Sequence, residues 1–354
     1  MTKKWLSAIL ALLLWAVPAL AESSVPSNFN PVDVARKARP AVVQVLNKAV
    51  DWSHETGEVK RDQGSGSAVY VDDRGYFITN HHVIEGADEV VVVLLDGTEL
   101  PATIVGSDNG TDLAVLKVED KIDAQPVPLG DSDKLEIGEW AIAIGNPGAG
   151  TSVLRGSVTL GIISALDRED VSAGNFTRSV KVIQTDAAIN MGNSGGALLN
   201  ANAELIGIPT LKFTFDAAGV YEGLGFAVPV NTIRDVMAKL IDDGKVVRPR
   251  LGVTVMALDG PERPLRNHAP AGVQIMEVEP NSPAALAGLY KYDIILEAAG
   301  TRVKTINQLT AIVDAHQPGD PLLLNICRYF DALTGEPLPK HEMLELVAGT
   351  ALLD

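Results

Sequence analysis

Between residues 40 and 207 the apolar positions come in short runs separated by glycine, proline, asparagine and aspartate. The runs at 41–46, 67–71, 90–94, 114–118, 140–144, 158–165 and 205–208 read as strands. Asp96-Gly97, Asn109-Gly110 and Asn146-Pro147-Gly148 read as turns between them. Many short strands at this spacing predict a mostly β unit, a barrel or a sandwich. One segment breaks the pattern. Val230, Ile233, Val236, Met237, Leu240 and Ile241 recur at helical spacing, so a helix is expected over 230–241, stopping at Gly244.

After a basic, proline-containing stretch at 245–250, a second β pattern opens with Arg250-Leu251-Gly252-Val253. Helices are expected at 282–287 and 306–316, then a hairpin-like excursion over 330–341 and a last strand at 343–347. The chain thus divides into a unit over 22–244, a linker over 245–250 and a second domain over 251–354. Residues 1–21 stand apart. Lys3-Lys4, an apolar run from Trp5 to Val17 and Ala19-Leu20-Ala21 have the layout of a cleaved signal peptide, which implies a periplasmic or secreted product. An uncleaved membrane anchor is the less favoured reading, because the run is short of the ~20 residues that a span needs.

Charge and cysteine usage narrow the function classes. The formal charge is −16, and removal of Lys3 and Lys4 takes it to −18. Such an acidic chain lacks the clustered cations that neutralise phosphates, so nucleic acid is not an expected partner. The single cysteine, Cys327, rules out an intrachain disulfide, so stability must come from burial. No Cys/His/Glu cluster has metal-ligand spacing, and no cofactor is expected.

The chemistry concentrates at Gly192-Asn193-Ser194-Gly195-Gly196. A serine hydroxyl needs a base to take its proton, and the tetrahedral intermediate needs hydrogen-bond donors for its oxyanion. Glycines on both sides of Ser194 allow a tight turn and a close substrate carbonyl. Backbone N–H groups of Gly192, Asn193 and Ser194 are the oxyanion candidates, Gly192 and Ser194 foremost. Upstream, Thr79-Asn80-His81-His82-Val83 places two histidines directly after a strand, and Thr111-Asp112-Leu113-Ala114-Val115 puts an acid at the edge of another. An imidazole can accept the serine proton and a carboxylate can fix its tautomer. The order His, Asp, Ser is that of chymotrypsin-type double barrels. On a strand only one of two adjacent histidines can face Ser194, and the residues alone leave that choice open.

These three segments, with Gln184-Thr185-Asp186-Ala187-Ala188-Ile189-Asn190-Met191 leading into the serine turn, resemble the HtrA (Deg) family of trypsin-like serine proteases. The resemblance implies a chymotrypsin/trypsin-like double β-barrel with His82 as base, Asp112 as its orienting acid and Ser194 as nucleophile. It implies an apolar S1 pocket, for which Ile189, Met191 and Leu224 are lining candidates. The C-terminal strings Leu251-Gly252-Val253, Ala271-Gly272-Val273, Ser282-Pro283-Ala284-Ala285-Leu286-Ala287-Gly288-Leu289 and Asp293-Ile294-Ile295 resemble one PDZ domain of the same family. By that likeness Arg250, Leu251, Gly252 and Val253 form the loop that binds a peptide carboxylate. The implied activity is endoproteolysis of unfolded or misfolded proteins, with C-terminal peptides captured at the PDZ domain and a homotrimeric assembly. A catalytically silent chaperone or peptide sensor is the alternative on the same scaffold. The segment 47–63 corresponds to the family's regulatory loop. Four departures stand out: Met191 where proline is usual, Ala197 where proline is frequent, Tyr292 where glycine is usual, and Ala299-Gly300 in place of Asn-Gly.

Overall fold

The computed structural model describes residues 29–53, 57–147, 154–168, 180–212, 223–258, 270–330 and 337–349. The expected signal peptide and residues 331–336 of the C-terminal excursion lie outside the described residues.

Helix α1 (Pro31–Ala38) opens the fold; the Asn30 side chain caps it and Pro31 occupies its first turn. Six strands follow: β1 (Val42–Ser53), β2 (Gly57–Asp72), β3 (Tyr76–Thr79), β4 (Glu89–Val93), β5 (Glu99–Asp108) and β6 (Leu113–Lys117), with α2 (His81–Ile84) between β3 and β4. They close into a barrel in the order β1-β2-β3-β6-β5-β4, with β4 returning to β1. A second closed barrel comprises β7 (Trp140–Gly145), β8 (Ser157–Arg168), β9 (Val182–Thr185), β10 (Ala197–Leu199), β11 (Leu205–Lys212) and β12 (Gly225–Pro229), ordered β10-β11-β12-β9-β8-β7. Closure pairs every strand and leaves no sheet edge.

Buried apolar residues on the strands pack both barrels. Val43, Val69, Ile78, Val92 and Leu116 lie in the first core, while Ala141, Ile163, Leu198 and Ile206 lie in the second. Helix α3 (Val230–Asp243) lays Ile233, Val236 and Leu240 on the first core and ends at Gly244, whose φ of 72° makes the left-handed cap. The 47–63 segment differs from a loop. β1 and β2 continue their antiparallel pairing out to Ser53 and Gly57, with one register shift at Asn47/Lys48.

The C-terminal unit has its own core around Leu251, Ile275, Ile295, Leu309 and Leu324. Its elements are β13 (Val253–Ala257), β14 (Val273–Val278), α4 (Pro283–Leu286), β15 (Ile294–Ala298), β16 (Thr301–Arg302), α5 (Ile306–Asp314), β17 (Pro321–Phe330) and β18 (Pro337–Gly349). The sheet runs β13-β14-β15-β17-β18, with β16 on β15. A capping box between Thr305 and Gln308 starts α5. Cys327, the single cysteine, is buried in β17.

Both departures from the family pattern in this unit fall on left-handed backbone: Tyr292 has φ 75° and Ala299 has φ 49°. A side chain costs about 1–2 kcal/mol there, which is why glycine or asparagine suits these sites. Tyr292→Gly should therefore stabilise the C-terminal unit by about 1 kcal/mol after the added chain entropy of glycine is subtracted. Thermal unfolding of the variant beside the parent checks this, and an unchanged or lower midpoint contradicts it.

Candidate active site

Asp112 is the fixed point of the site. It follows β5 at φ 54°, a left-handed conformation that aspartate tolerates better than most residues. Its main-chain oxygen accepts from His81 N at 3.1 Å and from Asn80 Nδ2 at 2.9 Å. Its Oδ1 accepts from His82 N at 3.0 Å, and its Oδ2 lies 2.7 Å from His82 Nδ1. Thr210 of β11 donates its hydroxyl to the same Oδ2. The carboxylate is 1% exposed and the imidazole 25% exposed, so the pair is buried at one end and open at the other.

The chain turns where the histidines sit. His81 and His82 occupy the first turn of α2, not an extension of β3, so their side chains splay apart around a helix. His82 points to Asp112, whereas His81 Nε2 lies 3.9 Å from Glu85, four residues on.

The serine turn is anchored from two directions. Ser67 N donates to Ser194 O at 2.8 Å, and Gly195 N donates to Pro209 O at 3.0 Å, one residue before Thr210. Gly195 has φ 80°, and a Cβ there would lie 2.1 Å from Ser67 O, so only glycine fits. These anchors tie the serine turn to β2, the neighbour of the strand that feeds His82, and to β11, whose Thr210 bonds the Asp112 carboxylate.

Of the three expected oxyanion donors, Asn193 must be removed. Its N–H is already given to Asn190 O at 2.9 Å, closing a turn over 190–193. Among the described residues no acceptor takes the N–H of Gly192 or of Ser194. Gly192 has φ 94°, as the third residue of a type II turn requires, and Met191 is the second, a position that favours proline. Met191→Pro should thus pre-set the turn and raise peptide turnover of the resting enzyme about two- to fivefold, the effect of ~0.4–1 kcal/mol of chain entropy removed. An unchanged rate contradicts that reading.

The lining candidates separate. Ile189 is buried and would meet a Cβ at Gly225 within 2.6 Å, so it packs against β12. Met191 is 85% exposed and lines nothing in this conformation, because the turn carries its side chain outward. Leu224 is half-buried and packs with Val182 and Phe226, away from the cluster that holds Ile189.

In the C-terminal loop, Leu251 is buried and its carbonyl accepts from Ala284 N, while the Gly252 carbonyl accepts from Glu279 N, both at 2.9 Å. With the carbonyls held by the scaffold, the N–H groups of Leu251 and Gly252 have no acceptor among the described residues. Gly252 has φ 75°. Arg250 pairs with Glu279 at 3.1 Å on the surface, and Val253 begins β13, next to α5.

The linker is tied down. Arg248 makes a two-pronged contact with the buried carboxylate of Asp108, with Nη2–Oδ2 at 2.7 Å. Burial pushes that carboxyl up, but the bonds from Arg248 and Thr111 outweigh it and hold the group below its ordinary value. The clamp therefore persists at neutral pH and is lost only as the pH falls through that depressed value. Asp108 lies four residues ahead of Asp112, so the linker grips the loop that presents the buried acid.

Sequence reading missed Thr210, Ser67, Asn146 and the Arg248–Asp108 pair. None carries a local signal, since each acts on a group distant along the chain.

Comparison with known proteins agrees with this geometry. Residues 66–208 match the family model for the trypsin-like peptidase domain and residues 249–344 match that for the PDZ domain. The chain is 44% identical over 277 residues to the putative serine protease HhoB of Synechocystis, covering 76% of this chain and 64% of that protein. It is 36% identical over 328 residues to the serine endoprotease DegS of Haemophilus influenzae, covering 92% of each. Among solved structures, the HtrA-type protease AlgW with a decapeptide superposes with a TM-score of 0.72 at 35% identity, covering 92% of this chain and 99% of that one.

Proposed function

This chain belongs to the HtrA family of serine proteases and is a serine endopeptidase, and we propose that Ser194, His82 and Asp112 carry its chemistry. The observation that supports this reading most is the buried Asp112–His82 pair together with a serine turn whose Gly192 and Ser194 N–H groups have no acceptor among the described residues. In the proposed cycle His82 Nε2 takes the Ser194 proton as Oγ attacks the substrate carbonyl carbon. The oxyanion is received by the N–H groups of Gly192 and Ser194. The proton then passes to the leaving amine, the C–N bond breaks, and a water molecule activated by the same imidazole hydrolyses the acyl-enzyme. Asp112 stays ionised throughout and holds the ring in the tautomer that leaves Nε2 free to accept.

The substrates we propose are unfolded or misfolded proteins, cut after small or medium aliphatic residues at a pocket bounded by Ile189 and β12. The C-terminal domain receives peptide C-termini as an added strand along β13, with the carboxylate at the N–H groups of Leu251 and Gly252. AlgW, solved with a decapeptide, supports peptide capture by this type of chain. The Arg248–Asp108 contact gives such capture a route to the loop of Asp112. The signal-peptide layout of residues 1–21 supports export to the periplasm or outside the cell, and the assembly we propose is a homotrimer. No helix among the described residues is long and apolar enough to cross a membrane.

Digestion of reduced casein by the chain lacking residues 1–21 tests the reading. Cleavage is expected in the parent and in His81→Ala, and is expected to be lost in Ser194→Ala and His82→Ala. Absence of cleavage by the parent, with or without hydrophobic C-terminal peptides, would favour the silent chaperone or sensor instead.

A further inference from the structure

We propose that Ser67, on β2 of the first barrel, is a positioning residue for the oxyanion turn of the second; this rests on the protease reading above. Ser67 is fully buried. Its Oγ accepts two hydrogen bonds from Asn146, from the main-chain N at 2.9 Å and from Nδ2 at 3.1 Å. It lies 2.7 Å from the carbonyl oxygen of Gly192. A hydroxyl has two lone pairs and one proton. With both lone pairs taken by Asn146, the proton has one destination, the Gly192 carbonyl. The direction of the bond is therefore set by counting, not by choice of rotamer.

The amide of Asn146 is itself oriented, because its Oδ1 accepts from Gly156 N at 3.0 Å. Gly156 O in turn accepts from Arg39 Nε at 2.9 Å. Ser67 is thus the last member of a chain of bonds that starts next to α1 and ends on the serine turn.

What the bond controls follows from the turn. The peptide group joining Gly192 to Asn193 is held at both ends, its carbonyl by Ser67 and its N–H by Asn190 O. The neighbouring peptide, Met191–Gly192, carries the oxyanion donor. A type II and a type I turn differ by rotation of that middle peptide. With an exposed methionine at position 191, no ring restricts φ there. The anchored 192–193 peptide is then what opposes the rotation that would turn the Gly192 N–H away. The main chain of Ser67 reinforces this: its N–H holds Ser194 O, and its carbonyl accepts from Thr79 Oγ1 at 2.6 Å, at the end of the strand leading to His82. One residue of the first barrel thereby sets the donors of the second barrel against the base. It touches neither substrate nor imidazole, so its effect should fall on the tetrahedral state alone.

The test uses the full chain lacking residues 1–21 and a quenched peptide spanning a bond that the parent cuts in casein. Ser67→Ala is expected to lower kcat about 10- to 100-fold, by analogy with loss of an oxyanion donor, with KM within about twofold of the parent. The inhibition constant of a peptidyl boronate, whose tetrahedral adduct occupies the donors, should rise in parallel. Binding of the product peptide and the acid limb of the pH profile should not move. Because Ser67→Ala also strips two Asn146 donors of their acceptor, Ser67→Cys is run beside it; it fills the same space but donates weakly, and should give an intermediate kcat. A folded variant with parental kcat overturns the proposal. So does loss of folding in both variants, which would make Ser67 a packing residue only. A parent that cuts nothing removes the protease reading itself, and this proposal with it.

Discussion

Asp112→Asn should lower kcat by about four orders of magnitude, as loss of the triad carboxylate does in enzymes of this geometry, while leaving the fold intact. The side chain keeps its size, so packing is preserved. The hydrogen-bond count is not. Oδ1 accepts from His82 N, and Oδ2 accepts from Thr210 Oγ1 and faces His82 Nδ1. An amide presents one oxygen and one NH2 group. If the NH2 takes the Oδ1 place, it opposes the His82 main-chain donor. If it takes the Oδ2 place, it opposes the Thr210 hydroxyl and forces Nδ1 to accept, which puts the ring proton on Nε2. The imidazole then offers Ser194 a donor where a base is needed. Active-site titration with a fluorophosphonate, together with kcat at pH 7 and thermal unfolding, checks this. A variant that keeps more than about a tenth of the parental kcat would show that Asp112 does not set the tautomer.

Arg328→Met is expected to unfold the C-terminal domain selectively. Arg328 reaches Asp293 with Nε–Oδ1 at 2.7 Å and Nη2–Oδ2 at 2.6 Å, and gives Nη2 to Gly288 O at 2.8 Å. The guanidinium also lies 4.8 Å over the ring of Tyr290. Asp293 is 2% exposed, so removal of its partner leaves a buried carboxylate whose remaining hydrogen-bond donor among the described residues is the Tyr290 N–H, at 2.8 Å. Breaking such a pair from one side costs about 3–5 kcal/mol, a large part of the stability of a domain this size. The barrels have separate cores, so their transition should stay within a few degrees of the parent while the domain's own transition falls by about 15 °C or more. Basal cleavage of casein should survive and its stimulation by C-terminal peptides should be lost. A single unshifted transition in calorimetry would contradict this.

Much of this architecture is legible in the residues themselves. Short apolar runs bounded by turn residues marked seven of the barrel strands but not β5, β9 or β10, and the six apolar positions before Gly244 marked α3 with its cap. Glycines around Ser194 and the order His, Asp, Ser pointed to acyl transfer on a double barrel. Resemblance to the family assigns the segment 47–63 to a regulatory loop, whereas β1 and β2 carry their pairing with each other through it, out to Ser53 and Gly57. Met191 was read as pocket lining from its place beside the serine, but the turn over 190–193 carries it outward.

Local chemistry settles what each short segment prefers, because propensity, turn type and periodicity depend on neighbours a few residues apart. Those preferences determined the strands, the nucleophile turn and the separate C-terminal unit from sequence alone. They could not determine which histidine faces Asp112, because that depends on α2 turning the chain at the end of β3. Nor could they find Thr210, 98 residues from the carboxylate it holds, Ser67, 125 residues from the carbonyl it binds, or Arg248, 140 residues from Asp108. Such pairs exist only once barrel closure and docking bring distant segments within hydrogen-bond reach, and a buried donor or acceptor then takes whichever partner the fold supplies.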